Sequence, residues 1–315
     1  MRVCLMIEGQ EDVRWEDWRA LASACEQHGF EALFRSDHYV SVDDRRERGS
    51  LDAWGTICAL SAVTSRIRLG TLVSPVTFRH PSTLAKSVVT ADHVSGGRIE
   101  LGMGAGWWEP EHELYGFPFP PTRTRMELLA EQLEIVRREW EEGEFSFHGD
   151  HYRIENLDAR PKPLRRPNLI VGGRAGRRSA TLAARWADEY NTVNATPDLC
   201  RERRAAVAAA WKREGRDPAT LRFSLMTGCL VGADADELGD RASRLAVWQG
   251  EEPADPEGFV DRLPDAWIVG TPAEAIDKLR GLAEAGVDRV MLQHHLYKDT
   301  DMVELIGREI IPALA

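Results

Sequence analysis

The sequence predicts an α/β fold, a (β/α)8 TIM barrel carrying insertion segments at its C-terminal face, and three observations carry that prediction. Short apolar strands alternate with amphipathic helices along the chain, eight of each. The stretch Arg66–Trp108 joins two strand-like runs, Ile67–Ser74 and Arg98–Ala105, through one helical segment, which is a βαβ unit of a parallel sheet. A chain of 315 residues with 43% hydrophobic content can bury the core that one barrel domain spanning residues 1–315 needs.

Taken in order, the apolar run Val3–Ile7 leads to the amphipathic segment Trp15–His28, Ala32–Arg35 to Leu51–Val63, and Ile67–Ser74 to Pro81–Val94. Ile99–Met103 is followed by Arg123–Glu142, Leu169–Gly172 by Arg178–Ala187, and Glu189–Val193 by Pro197–Arg213. Phe223–Val231 precedes Asp234–Trp248, and Pro272–Ala285 precedes the last strand, Val290–His294. Thr271-Pro272 with Glu274 is a helix opening, and Gly286 a helix stop. Three segments break the alternation, at about 107–122, 144–167 and 249–268. In the second, FSFHGDHYRIE reads as a small hairpin. The third is rich in Pro and Asp and reads as an irregular loop able to cover a site.

Composition excludes several classes. No apolar run reaches the roughly 18 residues of a membrane span, and MRVCLMIEGQED enters a strand and then acidic residues, so a cytoplasmic protein is expected. Five cysteines without a CxxC pair point to buried free thiols rather than a zinc site or a disulfide framework. A net charge of −11 argues against nucleic acid as a partner.

Four strand-end motifs carry the chemistry. Arg35-Ser36-Asp37-His38-Tyr39 puts a carboxylate and a group titrating near neutrality at the mouth of the barrel. Leu72-Val73-Ser74-Pro75-Val76-Thr77 ends in a proline that cannot donate to a ladder, so regular pairing is expected to stop there. Gly102-Met103-Gly104-Ala105-Gly106 lets a ligand approach the backbone, and Trp107 and Trp108 can wall an aromatic pocket, with Glu109, Glu111 and His112 beyond. This run lacks the last glycine and the later acid of a dinucleotide fingerprint, so a Rossmann fold is rejected. Gly172-Gly173-Arg174-Ala175-Gly176-Arg177-Arg178 offers backbone N–H groups and three arginines to a phosphate.

In this order and spacing the four motifs resemble the luciferase-like flavin and deazaflavin oxidoreductase family over nearly the whole chain, most specifically from Leu69 to Trp108. Ser36-Asp37-His38 and GAGWWEPEHELYGFPFPP resemble the subgroup that uses the deazaflavin coenzyme F420 rather than FMN. The resemblance implies hydride transfer between F420 and a small organic substrate, with His38 as acid–base residue and Glu111 in reserve. It implies cofactor contacts from Asp37, from Leu72, Val73 and Ser74, where many members have a non-proline cis peptide, from Gly104, Ala105 and Gly106, and from Gly172, Gly173, Arg174 and Ala175. Trp107, Trp108 and His112 would line the substrate pocket, and no metal is implied. Some sugar-phosphate dehydrogenases of the family carry a glutamate where this chain has Trp107, so its acid is missing or comes from Glu109 or Glu111. A homodimer is expected, with a flavin or F420 reductase as partner where the cofactor must arrive reduced. An FMN-dependent monooxygenase that uses reduced flavin and dioxygen, and a non-catalytic flavin-binding protein, are the alternatives. A metal-dependent hydrolase would want ligands at several strand ends, and only His38 and His294-His295 offer themselves.

Overall fold

The structure, a computed structural model, describes residues 1–42, 45–251 and 256–314. Residues 43–44, 252–255 and 315 lie outside the described residues, the second group within the third interruption of the strand–helix alternation. In chain order the elements are β1 (Arg2–Ile7), α1 (Trp15–Gln27), β2 (Ala32–Arg35), α2 (Ala53–Val63), β3 (Arg68–Pro75), α3 (Pro81–Ser95) and β4 (Ile99–Gly104). Next come α4 (Glu109–Tyr115), α5 (Thr122–Glu139), the hairpin β5 (Phe145–His148) and β6 (Arg153–Leu157), β7 (Asn168–Gly172), α6 (Arg177–Trp186), β8 (Glu189–Val193) and α7 (Pro197–Arg213). The chain continues through β9 (Arg222–Val231), α8 (Ala235–Gln249), α9 (Pro256–Arg262), β10 (Ile268–Gly270), α10 (Pro272–Glu284), β11 (Arg289–Gln293) and α11 (Thr300–Leu305).

Eight parallel strands close on themselves in the order β1, β2, β3, β4, β7, β8, β9, β11, with β11 returning to β1. These are the eight strands expected from the sequence. Their apolar residues fill two layers: a large core between strands and helices, and a barrel interior built from Cys4, Met6, Ala32, Phe34, Leu72, Ile170 and Met291. Local signals set the helix ends. Glu274 accepts from the Thr271 backbone at 2.7 Å to open α10, and Gly96, at φ 72°, closes α3.

Charge seals the N-terminal end of the barrel. Arg289, the first residue of β11, donates to Glu100 at 2.9 Å and to Glu189 at 2.8 Å, and Asn168 donates to the same two carboxylates at 2.9 and 3.0 Å. Arg289, Glu100 and Glu189 are each at most 1% exposed, and Arg68 pairs with Glu100 from the rim. Burial pushes the Glu100 pKa up, but Arg289 and Arg68 overcome it and hold the carboxyl at about 2.

The ladder between β3 and β4 ends at Pro75, as expected: after a bulge between Thr71 and Ser74 it resumes, and Pro75, opposite Gly104, is the last residue of β3. The Leu72–Val73 peptide inside that bulge is cis, as the resemblance implied. One expectation needs correction. The third interruption is not an irregular loop, because α9 and β10 are built from it and Leu230, Leu245, Phe259 and Trp267 pack into a satellite core. The first interruption contains the short helix α4. Among the described residues no helix is long and apolar enough to cross a membrane.

Candidate active site

The C-terminal ends of β2, β3 and β4 and the short helix α4 meet at one side of the mouth. β2 runs out through Ser36 into Asp37 and His38, and α4 brings Glu111 against them. Glu111 is buried and uses both oxygens: Oε1 lies 2.6 Å from His38 Nδ1, and Oε2 accepts from the Tyr39 backbone N–H at 3.1 Å. With Nδ1 on Glu111, the His38 nitrogen left for a ligand is Nε2. Trp107 is exposed and packs edge-on against the His38 ring at a centroid distance of 5.9 Å. Burial works against the His38 charge, but the Glu111 hydrogen bond and charge, with help from Glu8 and Asp37, outweigh it and raise the imidazole pKa above its ordinary value.

Asp37 is tied into the protein beside His38. Its carboxylate is buried and held by Arg79, which donates at 2.6 and 3.1 Å, and by the Ser74 hydroxyl at 2.6 Å. Arg79 also donates to the Tyr39 hydroxyl at 3.0 Å and to Asp52 at 2.8 Å, tying the loops after β2 and β3 together. Burial opposes the charge on Arg79, and Asp37 more than offsets it, so this guanidinium stays protonated. Gln132 of α5 donates to the carbonyl of Val76 at 2.8 Å and to the Tyr152 hydroxyl of the hairpin at 2.7 Å, which steadies the same loop.

The glycines at the end of β4 and β7 have a packing role that their spacing does not show. A Cβ at Gly102 would stand 2.9 Å from Val73 Cγ1, one at Gly104 2.6 Å from Val73 Cγ2, and one at Gly172 3.1 Å from Val73 Cγ1. Three glycines from two neighbouring strands therefore make the seat for the Val73 side chain in the bulge. His112 is likewise buried rather than open to the pocket. Its Nδ1 donates to the Trp108 carbonyl at 2.8 Å, its Nε2 lies 2.6 Å from the Thr77 hydroxyl, and its ring packs against Phe78 and Phe119. Adjacent residues of α4 thus pin two loops, Glu111 the one after β2 and His112 the one after β3.

The loop after β7 lies elsewhere on the rim. Gly173 gives room to the Tyr190 hydroxyl, which accepts from the Ala175 N–H at 2.8 Å, and Ala175 takes a left-handed φ of 57°. Gly176 caps α6 without a side chain, so the first-turn N–H groups are not capped, and Arg174 and Arg177 are exposed with no acidic partner among the described residues. That arrangement fits a phosphate. His294 packs into the protein, with Nε2 3.0 Å from the Asp299 carbonyl, and burial lowers its pKa to about 4, so it stays neutral. Four cysteines are buried and Cys58 is partly so, all as free thiols.

Sequence reasoning missed Arg79, Gln132, Asp52 and Glu8. Arg79 and Glu8 do stand just after strands, at Pro75 and Ile7, and that position was the signal available. Gln132 and Asp52 lie on or beside helices, where no spacing marks a partner across the barrel.

A family model described as luciferase-like monooxygenase matches residues 3–289. The F420-dependent hydroxymycolic acid dehydrogenase of Mycobacterium tuberculosis is 29% identical over 297 residues, covering 89% of this chain and 80% of its own. The FMNH(2)-dependent dimethylsulfone monooxygenase of Pseudomonas putida is 26% identical over 324 residues, covering 93% and 86%. In three dimensions the chain superimposes on an F420-dependent secondary alcohol dehydrogenase in complex with an F420-acetone adduct with a TM-score of 0.81, at 21% identity and over 100% of this chain and 99% of the other, a likeness of fold.

Proposed function

The chain belongs to the luciferase-like monooxygenase family, whose relatives include F420-dependent dehydrogenases and FMNH(2)-dependent monooxygenases, and on that premise we propose that it is an F420-dependent oxidoreductase acting on a small organic substrate. One observation carries the choice of deazaflavin. The two segments that resemble the F420 subgroup, Ser36-Asp37-His38 and the one after Gly104, are joined in space by the His38–Glu111 hydrogen bond. When bound, F420 supplies a ring that accepts or gives a hydride.

The residues present fit such a cofactor. Val73 and the backbone from Gly104 to Gly106 offer a smooth surface for a flat ring, and the uncapped start of α6 with Arg174 suits the anionic group of its tail. His38 would hold or release a proton at Nε2, and Glu111 orients the imidazole and stabilises its charged form. Asp37, held by Arg79 and Ser74, fixes the strand end that carries His38. Trp107, packed edge-on against the His38 ring, and Trp108 would line the substrate side of the site. The same reading makes the protein one cytoplasmic barrel domain that dimerises, with the three interruptions shaping the substrate pocket. The second reading, an FMN-dependent monooxygenase fed by a reductase, draws on the dimethylsulfone monooxygenase likeness.

Titration of the purified protein with F420 and, separately, FMN, followed by fluorescence, separates the two. Tight F420 binding, weak FMN binding and loss of both in Arg174→Ala are expected. The opposite preference makes the protein an FMN enzyme, and binding of neither removes the cofactor assignment.

A further inference from the structure

Basic residues are concentrated on one flank of this acidic chain. Between Arg174 and Arg216 stand ten basic and five acidic residues, in a protein whose net charge is −11. Four of the five acids are already used: Asp188 pairs with Arg137 and Arg166, Glu189 with Arg289, Asp198 with Arg201 and Glu214 with Arg185. Arg174, Arg177 and Arg213 are exposed, with no acidic partner among the described residues.

Two of these arginines line an open groove of about 460 Å³ between α6 and α7, together with Ala175, Ala180, Ala206 and Ala209. Its size is that of a small-molecule cleft, for which about 300–1,000 Å³ is usual. Ala206, Ala209 and Arg213 follow one another on one face of α7 at intervals of three and four residues, and Ala180 faces them from α6. Their methyl groups leave the space between the helices unfilled. Glu202, the acid on that face, stands one turn nearer the start of α7 and does not line the groove.

The groove begins where the loop after β7 ends. Ala175 belongs to both, and Arg177 opens α6 beside its uncapped N–H groups. Along α7 it runs from Ala206 to Arg213, about 10 Å of helix. A fitting occupant is therefore extended, anionic and continuous with what the loop holds.

We propose that this groove binds the oligoglutamate chain that follows the phosphate of F420, with Arg177 and Arg213 pairing with its carboxylates. This rests on the reading of the chain as an F420-dependent oxidoreductase. The charges are complementary, and the open side lets a chain of any length run on into solvent. FMN ends at its phosphate and would leave the groove empty.

The test compares F420 carrying a single glutamate with F420 carrying a chain of several, each titrated into the full chain at low salt and read from deazaflavin fluorescence. Wild type should bind the long-tailed form about three- to tenfold more tightly, the scale of two partly exposed ion pairs. That advantage should shrink as salt is added. Arg213→Ala, at the end of the groove far from the loop, should remove most of it while affinity for the single-glutamate form stays at the wild-type value. Ala209→Glu sets a carboxylate between the two arginines and should make the long-tailed form the weaker binder. Equal affinity for the two forms in wild type overturns the proposal, as does an advantage that survives unchanged in Arg213→Ala. Failure to bind either form would instead overturn the underlying reading, and this proposal with it.

Discussion

At the N-terminal end of the barrel Arg289 lies between two carboxylates, Glu100 and Glu189, whereas at the C-terminal end His38 lies against one, Glu111. The centre of the first cluster is closed: Arg289, Glu100 and Glu189 are each at most 1% exposed, the two carboxylates take further donors from Asn168, and only Arg68 and Glu31 at the rim reach solvent. Arginine cannot give up its proton in such a site, so the charges there are fixed and serve only to hold strands together. The second cluster contains the one member that titrates near neutrality, and its side chain is 15% exposed. Behind it Asp37 and Arg79 form a pair as fixed as the one at the other end. The same ingredients thus stabilise where both partners are permanent ions, and in the proposed reading exchange protons where one partner is an imidazole.

Mutations should separate these two uses of charge. The largest effect is expected at the mouth. His38→Gln should lower turnover by about 10²- to 10⁴-fold, the usual contribution of an acid–base group, while the urea midpoint stays near that of wild type. A collapse in stability instead would show that the mouth cluster is structural like the other one. At the opposite end, Arg289→Met leaves Glu189 buried without its cation and Glu100 with Arg68 alone, and should cost about 3–5 kcal/mol of unfolding free energy, read from urea denaturation. A smaller third effect probes the seat beneath Val73. Gly104→Ala puts a methyl 2.6 Å from Val73 Cγ2 and should cost about 1–3 kcal/mol as well as weakening cofactor binding, checked by denaturation and by titration.

Much of this was legible in the chain. All eight barrel strands were, because each is a short apolar run bounded by polar or small residues, and the strand-end motifs were, because a barrel exposes its strand ends at one face. The hairpin β5–β6 was foreseen from its aromatic and polar pairs. The helices α4 and α9 were not, since each is only seven residues long and begins beside a proline in loop-like sequence. Roles were harder than positions. Glu111 was singled out with no partner to name, and its bond to His38 spans 73 residues, a distance that only the closed barrel removes. The part of Gly102 and Gly104 in seating Val73 was not legible, because sequence cannot show which side chain of the neighbouring strand packs on them. His112 looked open for the same reason, while its neighbours Thr77, Phe78 and Phe119 enclose it.

The account stands on His38 and Glu111 acting as one proton-exchanging pair, and histidine-labelled protein makes this visible without knowledge of the substrate. Glu111 raises the His38 pKa against the effect of burial, so the imidazolium form persists to higher pH than in an exposed histidine and is lost as pH rises through that elevated value. In Glu111→Gln the raising charge is gone and burial remains, so the pKa should fall. NMR titration of the imidazole in both proteins should therefore give a His38 pKa above about 6.5 in wild type and a clearly lower one in the variant. The same pKa in both would contradict the coupling, and with it the role given to this end of the barrel.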